Sequence, residues 1–203
     1  TINGDNSASK LASYFGRVNY NFRGKYLFEA NLRADGSSRF AGNKRWGYFP
    51  SVSAGWRISE EKFMQRLPAV DNLKMRFSVG KLGKQMRSGG SELSQMNLNN
   101  GHTFNGNPVS GAAITSLADP AISWEATTTS DLGLDLGLWN NKFSLTVDAY
   151  NKLTSGILAR ITIPAQVGNL GGPITNFYKM SNNGLEIQAA YQNAFDEFNY
   201  KIG

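Results

Sequence analysis

The residue types that most often carry chemistry are scarce in this chain and poorly placed for it. There is one histidine, His102, in a stretch rich in Gly and Asn, and no cysteine. Neither a Ser-His-Asp nor a Cys-His arrangement therefore has an evident base, and no thiolate metal site can form. The run Gly80-Lys81-Leu82-Gly83-Lys84-Gln85 is too short for a phosphate-binding loop and lacks the Ser or Thr that would hold magnesium; HExxH and EF-hand patterns are absent. Asp131 and Asp135 share a face if their segment is a strand, which would suit a glycosidase pair. Four positions along a strand are about 13 Å, too far for an acid and a nucleophile to act on one bond. The expectation is a chain that is not an enzyme and holds no cofactor or metal, whose charged residues serve as a solvated surface.

The elements that position those charges are strands. From Tyr14 to Phe22 the residues Tyr14, Val18, Tyr20 and Phe22 alternate with Arg17, Asn19 and Asn21, and from Tyr26 onward Tyr26, Phe28, Ala30, Leu32 and Ala34 oppose Glu29, Asn31, Arg33 and Asp35. That is the period of two of a pleated strand. The pattern returns at Tyr48 to Ile58, at Asn72 to Leu82 (Leu73, Met75, Phe77 and Val79 against Lys74, Arg76 and Ser78), and at Ser123 to Leu138 (even-numbered Leu132 to Leu138 against Glu125, Asp131 and Asp135). It continues in a strand starting at Phe143 with Asp148 and Tyr150 on its polar face, in Leu185 to Gln192 with Glu186 and Gln188, and in a last strand from Phe198. The polar faces thus carry Glu29, Arg33, Lys74, Arg76, Glu125, Asp131, Asp135, Asp148 and Glu186. A soluble core would not solvate such a face, so it must meet water while the aromatic-rich face meets something apolar.

Composition agrees. Hydrophobic residues make up 40% and charged residues 18%, with 22 glycines. No apolar run approaches the roughly 20 residues of a membrane-spanning helix, because each is broken by alternating polar positions, as a barrel strand would be. The formal charge of +6 is spread along the chain rather than gathered in a run, so it reads as a solvated surface and not as a nucleic-acid footprint. Arg23-Gly24 followed by Tyr26 and Phe28 does not meet the spacing of an RNA-recognition strand.

The segments YFGRVNYNFRGKYLFEANLRADGSSRFAGNKRWGYFPSVSAGWRISEEKFM, LKMRFSVGKLGKQ, SWEATTTSDLGLDLGLWNNKFSLTVDAYNKLTSGIL and VGNLGGPITNFYKMSNNGLEIQ resemble the barrel region of the SusC/RagA family of TonB-linked outer-membrane transporters. The resemblance implies an all-β antiparallel transmembrane barrel, with residues 1–203 forming about eight strands of a larger one and the plug domain and N-terminal TonB-contacting segment lying outside the chain. It further implies a bacterial outer-membrane location, a SusD-like surface lipoprotein as lid, energy from the TonB complex, surrounding outer-membrane lipid, and a glycan or peptide as substrate. Nucleic acid is not an expected partner.

Connection lengths support this reading. Short turns at 23–25, 140–142 and 194–197, and a compact turn at Ser59 with Ser59 as N-cap and Pro68 as stop, alternate with long loops from Asp35, from Gly83 to Ile122 and from Ser155 to about Ser181. Strict alternation puts all long loops on one side, as in outer-membrane barrels. Trp124 to Leu138 is long enough to span about 33 Å at a 45° tilt, with Trp124 and Trp139 near the two ends. In the first long loop Asp35 is expected to cap a turn made possible by Gly36. On the long-loop side Arg39, Arg45, Trp46, Phe104 and Phe177 are the candidate contacts for substrate or lid. Two other readings stay open: a self-contained eight-stranded barrel serving as anchor or adhesin, and a soluble β-domain that binds carbohydrate or RNA.

Overall fold

The computed structural model describes residues 9–85, 94–164, 166, 170–195 and 198–203. Eight strands form one antiparallel meander: β1 (Leu11–Phe22), β2 (Tyr26–Ser37), β3 (Trp46–Arg57), β4 (Val70–Lys84), β7 (Glu125–Leu138), β8 (Phe143–Arg160), β9 (Ile174–Phe195) and β10 (Phe198–Ile202). Between β4 and β7 a separate hairpin is inserted, β5 (Gln95–Phe104) with β6 (Asn107–Ser116). The 3₁₀ turns Gly42–Lys44, Ile58–Glu60 and Lys62–Arg66 lie in the connections on either side of β3.

Register fixes the two faces. Phe77, Leu132 and Ala149 stand in one row on the apolar side, and Ser78, Asp131 and Tyr150 in the adjacent row on the polar side. Among the described residues no second layer covers the apolar side: Tyr14 is 69% exposed, Val18 66%, Leu185 62% and Ile187 65%. A soluble sandwich would bury that face against another sheet, whereas an exposed aromatic-rich face suits lipid. Trp46 and Trp56 lie near the ends of the apolar face of β3. Ten strand steps cover about 33 Å, or about 25 Å along the membrane normal at a 40° tilt, the height of the apolar band of an outer-membrane barrel. Trp56 continues a ladder of stacked rings with Tyr26, Phe22 and Tyr20, while Trp46 stacks on Tyr14 at the other end. Among the described residues β1 and β10 do not pair with each other, so the sheet is open and the self-contained eight-stranded barrel lacks its defining closure.

Turn chemistry explains the short side. Arg23 and Gly24 have φ of 54° and 69°, and the Lys25 N–H donates to the Phe22 carbonyl at 3.0 Å; two central residues at positive φ make the type I′ turn whose twist suits a hairpin. Trp139, Asn140 and Asn141 are all left-handed, and neighbours hold them there: Trp139 N–H donates to Ala69 O, Asn141 N–H to Asp71 Oδ2, and Gln192 Nε2 to Asn141 O.

Four expectations are corrected. The 83–122 loop contains the β5–β6 hairpin, turned at Asn105-Gly106 with φ of 51° and 81°. The 155–181 loop shrinks to 161–173, because β8 and β9 continue past a bulge at Gly156, where φ is 66° and the alternation slips out of phase. Gly36 remains in β2 and makes no turn; its missing side chain leaves room for the Trp46 ring, which would stand 2.9 Å from an added Cβ, and the Asp35 carboxylate accepts from Arg33 Nε. Ser59 does not cap: it lies inside a 3₁₀ turn, and its buried Oγ has no partner.

The elbow after β3 is instead fastened by Glu61. Its carboxylate accepts from Tyr26 Oη at 2.8 Å, Lys25 Nζ at 3.1 Å and Trp56 Nε1 at 3.2 Å. These bonds, Tyr26 first, hold it below the usual carboxylate range. A lowered folded value means the contribution is complete above the ordinary carboxylate range and is lost as pH falls through the lowered value. Hydrogen exchange across 58–69 in the full-length protein should therefore quicken on acidification through that window, and Glu61→Gln should remove the step. An identical acid response in the Gln variant would show that another group holds the elbow.

Candidate functional site

The polar face is organised in rows across the strands. Gly55, Arg76, Gly133, Asp148 and Glu186 form one row across β3, β4, β7, β8 and β9. Within it Arg76 is held by two carboxylates: Nε and Nη2 donate to Asp135 Oδ2 and Oδ1 at 2.8 and 3.0 Å, and Nη2 donates to Asp148 Oδ1 at 2.8 Å. Thr146 Oγ1 donates to Asp135 Oδ1 at 3.4 Å. The planar guanidinium fork suits such double engagement. It reaches Asp148 by lying over Gly133, where a Cβ would stand 2.7 Å from Arg76 Cζ and closer still to Asp148 Oδ1. The glycine is thus part of the network, a role that residue type alone does not announce, although a glycine inside a strand is the signal of a close approach.

The other charged positions fall on the same face in smaller groups. Glu29 accepts from Asn31 Nδ2 at 2.8 Å and lies 4.0 Å from Arg17 Nε. Arg33 pairs with Asp35 at 2.8 Å, and Lys84 with Glu125 at 3.5 Å. Lys74 lies alongside Gly55 and makes no ion pair among the described residues. Asp131 lies in the next row, outside the Arg76 network; Glu186 lies beside Asp148 and is exposed. Of the charges the alternation picks out, the structure brings Arg76, Asp135 and Asp148 into direct contact and leaves Lys74, Asp131 and Glu186 apart.

At the long-loop end a packed corner ties separate connections together. Trp124 was expected at the end of its strand; it precedes β7, and its ring turns into the corner against Phe40 at 5.2 Å and Phe49 at 5.5 Å. Its Nε1 donates to the Arg45 carbonyl at 3.2 Å. Phe40 and Ile122 are almost fully buried here. Gly83 is required beside them, because the Phe49 ring occupies the space its Cβ would fill. Asn176 then clamps the segment before Trp124 to β9: Oδ1 accepts from Ser123 N–H at 2.7 Å, and Nδ2 donates to the carbonyls of Ser123 at 3.0 Å and Gly156 at 2.7 Å. Thr175 Oγ1 donates to Asp119 Oδ2 close by. Sequence periodicity has no means of finding Phe40, Trp124 and Asn176 as a unit, since they come from two separate connections and the start of β9.

The candidate contact residues separate. Arg45 is exposed, with Nε donating to Phe40 O at 3.1 Å, and Arg39 is half-buried at the same corner. Trp46 lies on the apolar face against Tyr14 and Gly36, away from the charged rows. Phe104 flanks the β5–β6 turn at 72% exposure, and Phe177, at 64%, meets Tyr178 edge-on. The arrangement offers hydrogen-bonding groups of both signs along an inner wall and exposed rings at the outer end. No cluster of ligands able to hold a metal ion occurs among the described residues.

Comparison with known proteins gives consistent results. A family model described as TonB dependent receptor-like, beta-barrel matches residues 1–203. TonB-dependent receptor P39 of Formosa agariphila is 35% identical over 94% of this chain, and TonB-dependent receptor SusC of Bacteroides thetaiotaomicron is 34% identical over 87%. The chain spans only 18% of the length of either relative. Among solved structures, the RagAB peptide importer in its closed-closed state superposes with a TM-score of 0.78 at 27% identity, covering 94% of this chain and 22% of that one.

Proposed function

The chain belongs to the TonB-dependent receptor-like β-barrel family, whose members are outer-membrane transporters and not enzymes, and from that membership we propose that it forms part of the wall of a nutrient importer of the SusC/RagA type. The observation that carries the reading is the two-faced open sheet: an uncovered apolar face bounded by aromatic rings, and an inner face of paired and unpaired charges. In this reading the apolar face meets outer-membrane lipid and the charged rows line the solute path. A SusD-like surface lipoprotein closes the long-loop side, and the TonB complex supplies energy through parts of the protein beyond this chain. RagAB is described as a peptide importer, and the neighbourhood of SusC and RagAB keeps both a glycan and a peptide as substrate classes.

Phe104 and Phe177, with Arg39 and Arg45, are the residues proposed to touch lid or cargo; Trp46 fits better as an interfacial ring. Excising the β5–β6 hairpin, residues 95–116, from the full-length transporter should reduce lipoprotein copurification or solute uptake while leaving membrane insertion intact. Unchanged copurification together with unchanged uptake would remove the hairpin from the docking surface.

A further inference from the structure

The elbow between β3 and β4 is fastened to the outside of the sheet. Tyr26 and Trp56, which both bond the Glu61 carboxylate, belong to the apolar face and stand opposite each other in register. At the far end of the elbow the Ala69 carbonyl accepts from Trp139 N–H, and the Trp139 ring lies 6.2 Å from Phe143, in the apolar row of Leu138 and Tyr191. Residues 58–69 therefore run along the outer circumference of the short-turn rim, between two pairs of rings, at the level where an aromatic girdle meets lipid headgroups.

The side chains of the elbow divide in the same sense. Met64 is buried, whereas Phe63 and Leu67 are 59% and 54% exposed. In a 3₁₀ turn residues three apart lie on one side, so Phe63 and Arg66 project together, away from the side on which Met64 meets the protein. Every acidic side chain here is already engaged: Glu61 by Lys25, Glu60 by Arg57 at 2.8 Å, and Asp71 by the Asn141 N–H at 3.0 Å. The cations left over are Lys62 and Arg66, both exposed and without an ion pair among the described residues. The adjoining β1–β2 turn, joined to the elbow by the bond from Arg57 N–H to Lys25 O, adds Arg23, whose guanidinium lies 5.1 Å from the centre of the Phe22 ring.

We infer that the elbow binds an anionic phospholipid of the leaflet beside the short turns, with Lys62 and Arg66 on its phosphate and Phe63 and Leu67 among its upper acyl carbons. Four steps of about 2 Å separate Lys62 from Arg66, so their long side chains can converge on one phosphodiester. Apolar side chains that enter the acyl boundary beside cations that stay at headgroup level are the combination by which an interfacial segment holds anionic lipid. A second copy of the chain fits poorly, because a two-fold contact through this rim would set Lys62 and Arg66 against their own equivalents. The inference rests on the apolar face meeting lipid and is independent of the solute.

The test uses the full-length receptor in nanodiscs of equal parts phosphatidylglycerol and phosphatidylcholine, with native mass spectrometry counting the lipids that stay on the released protein. The wild type should retain phosphatidylglycerol preferentially, and Lys62→Gln/Arg66→Gln should lower that preference about fivefold or more. The charge-preserving Lys62→Arg/Arg66→Lys, and Lys10→Gln/Lys44→Gln at the long-loop end, should keep it. Hydrogen exchange across 58–69 should be slower in these nanodiscs than in phosphatidylcholine alone, and Lys62→Gln/Arg66→Gln should abolish the difference. Equal retention of the two lipids, a preference indifferent to Lys62→Gln/Arg66→Gln, or an equal loss in Lys10→Gln/Lys44→Gln would overturn the site. So would the same protection of 58–69 by inorganic phosphate in detergent, or protection that follows receptor concentration instead. Failure of the site alone leaves lipid-phase quenching of a label at Leu132→Cys intact, whereas loss of that quenching as well removes the assignment of faces beneath it.

Discussion

Leu132→Arg is expected to destabilise the full-length receptor in lipid vesicles by about 2 to 4 kcal/mol, the cost of a cation near the bilayer midplane on the outer face of a barrel. Leu132 lies between Phe77 and Ala149 on the apolar face and is 47% exposed. Its neighbour Asp131 points the other way, between Ser78 and Tyr150. Asp131→Arg keeps a charge in a hydrated interior and should leave stability close to wild type while altering solute preference. Adjacent residues with opposite outcomes are the consequence of a period of two, and a register slip of one would exchange them. Single-cysteine variants provide the control: a lipid-phase quencher should reach a label at Leu132→Cys, and a water-soluble thiol reagent should modify Asp131→Cys. The reverse pattern would overturn the assignment of faces and every inner-wall residue that depends on it.

Phe40→Ala should produce the second large effect. Deleting a fully buried phenylalanine costs about 3 to 5 kcal/mol in a well-packed core; at a rim that can relax, the lower end applies. Phe40 is 1% exposed and meets Trp124, which in turn meets Phe49 and bonds the Arg45 carbonyl. The damage should therefore appear away from the substitution, as faster hydrogen exchange in 117–124, while β4 and β7 keep their protection. Phe63→Ala, at an exposed ring in the short-side elbow, should leave this region unchanged. Unaltered exchange in 117–124 of the Phe40→Ala variant would show that the corner is not what holds that segment.

The strands and faces were legible because alternation is a local property: from Tyr14 to Phe22 or from Leu132 to Leu138 each residue declares its own side. The family was legible too, since the segments that suggest it run through most of the chain and the match covers residues 1–203. Legibility failed wherever the pattern depends on something other than the next residue but one. The bulge at Gly156 shifts the phase, so a strand that continues to Arg160 reads as loop. The hairpin at Asn105-Gly106 carries a recognisable turn dipeptide, but its strands are rich in Asn, Gly and Ser and have two register shifts, which blur the period. Trp124 looked like the last ring of a membrane strand because its partners, Phe40 and Phe49, are more than 70 positions away. Gly133 is invisible as part of the charged network until Arg76 is seen lying over it.

The closed pairing of Arg76 also bears on how long a solute stays at each level of the wall. In the importer reading proposed above, Asp135 and Asp148 are both engaged by one guanidinium, so a solute passing these two carboxylates finds them already occupied. A hydrogen bond to a charged group contributes about 1.5 to 3 kcal/mol, and its loss shortens the residence time by roughly 10- to 150-fold. The Arg76–Asp135–Asp148 cluster is thus a low-friction stretch of the wall, and the charges that can hold a solute beside it are the exposed Glu186 in the same row and Lys74 one row further in.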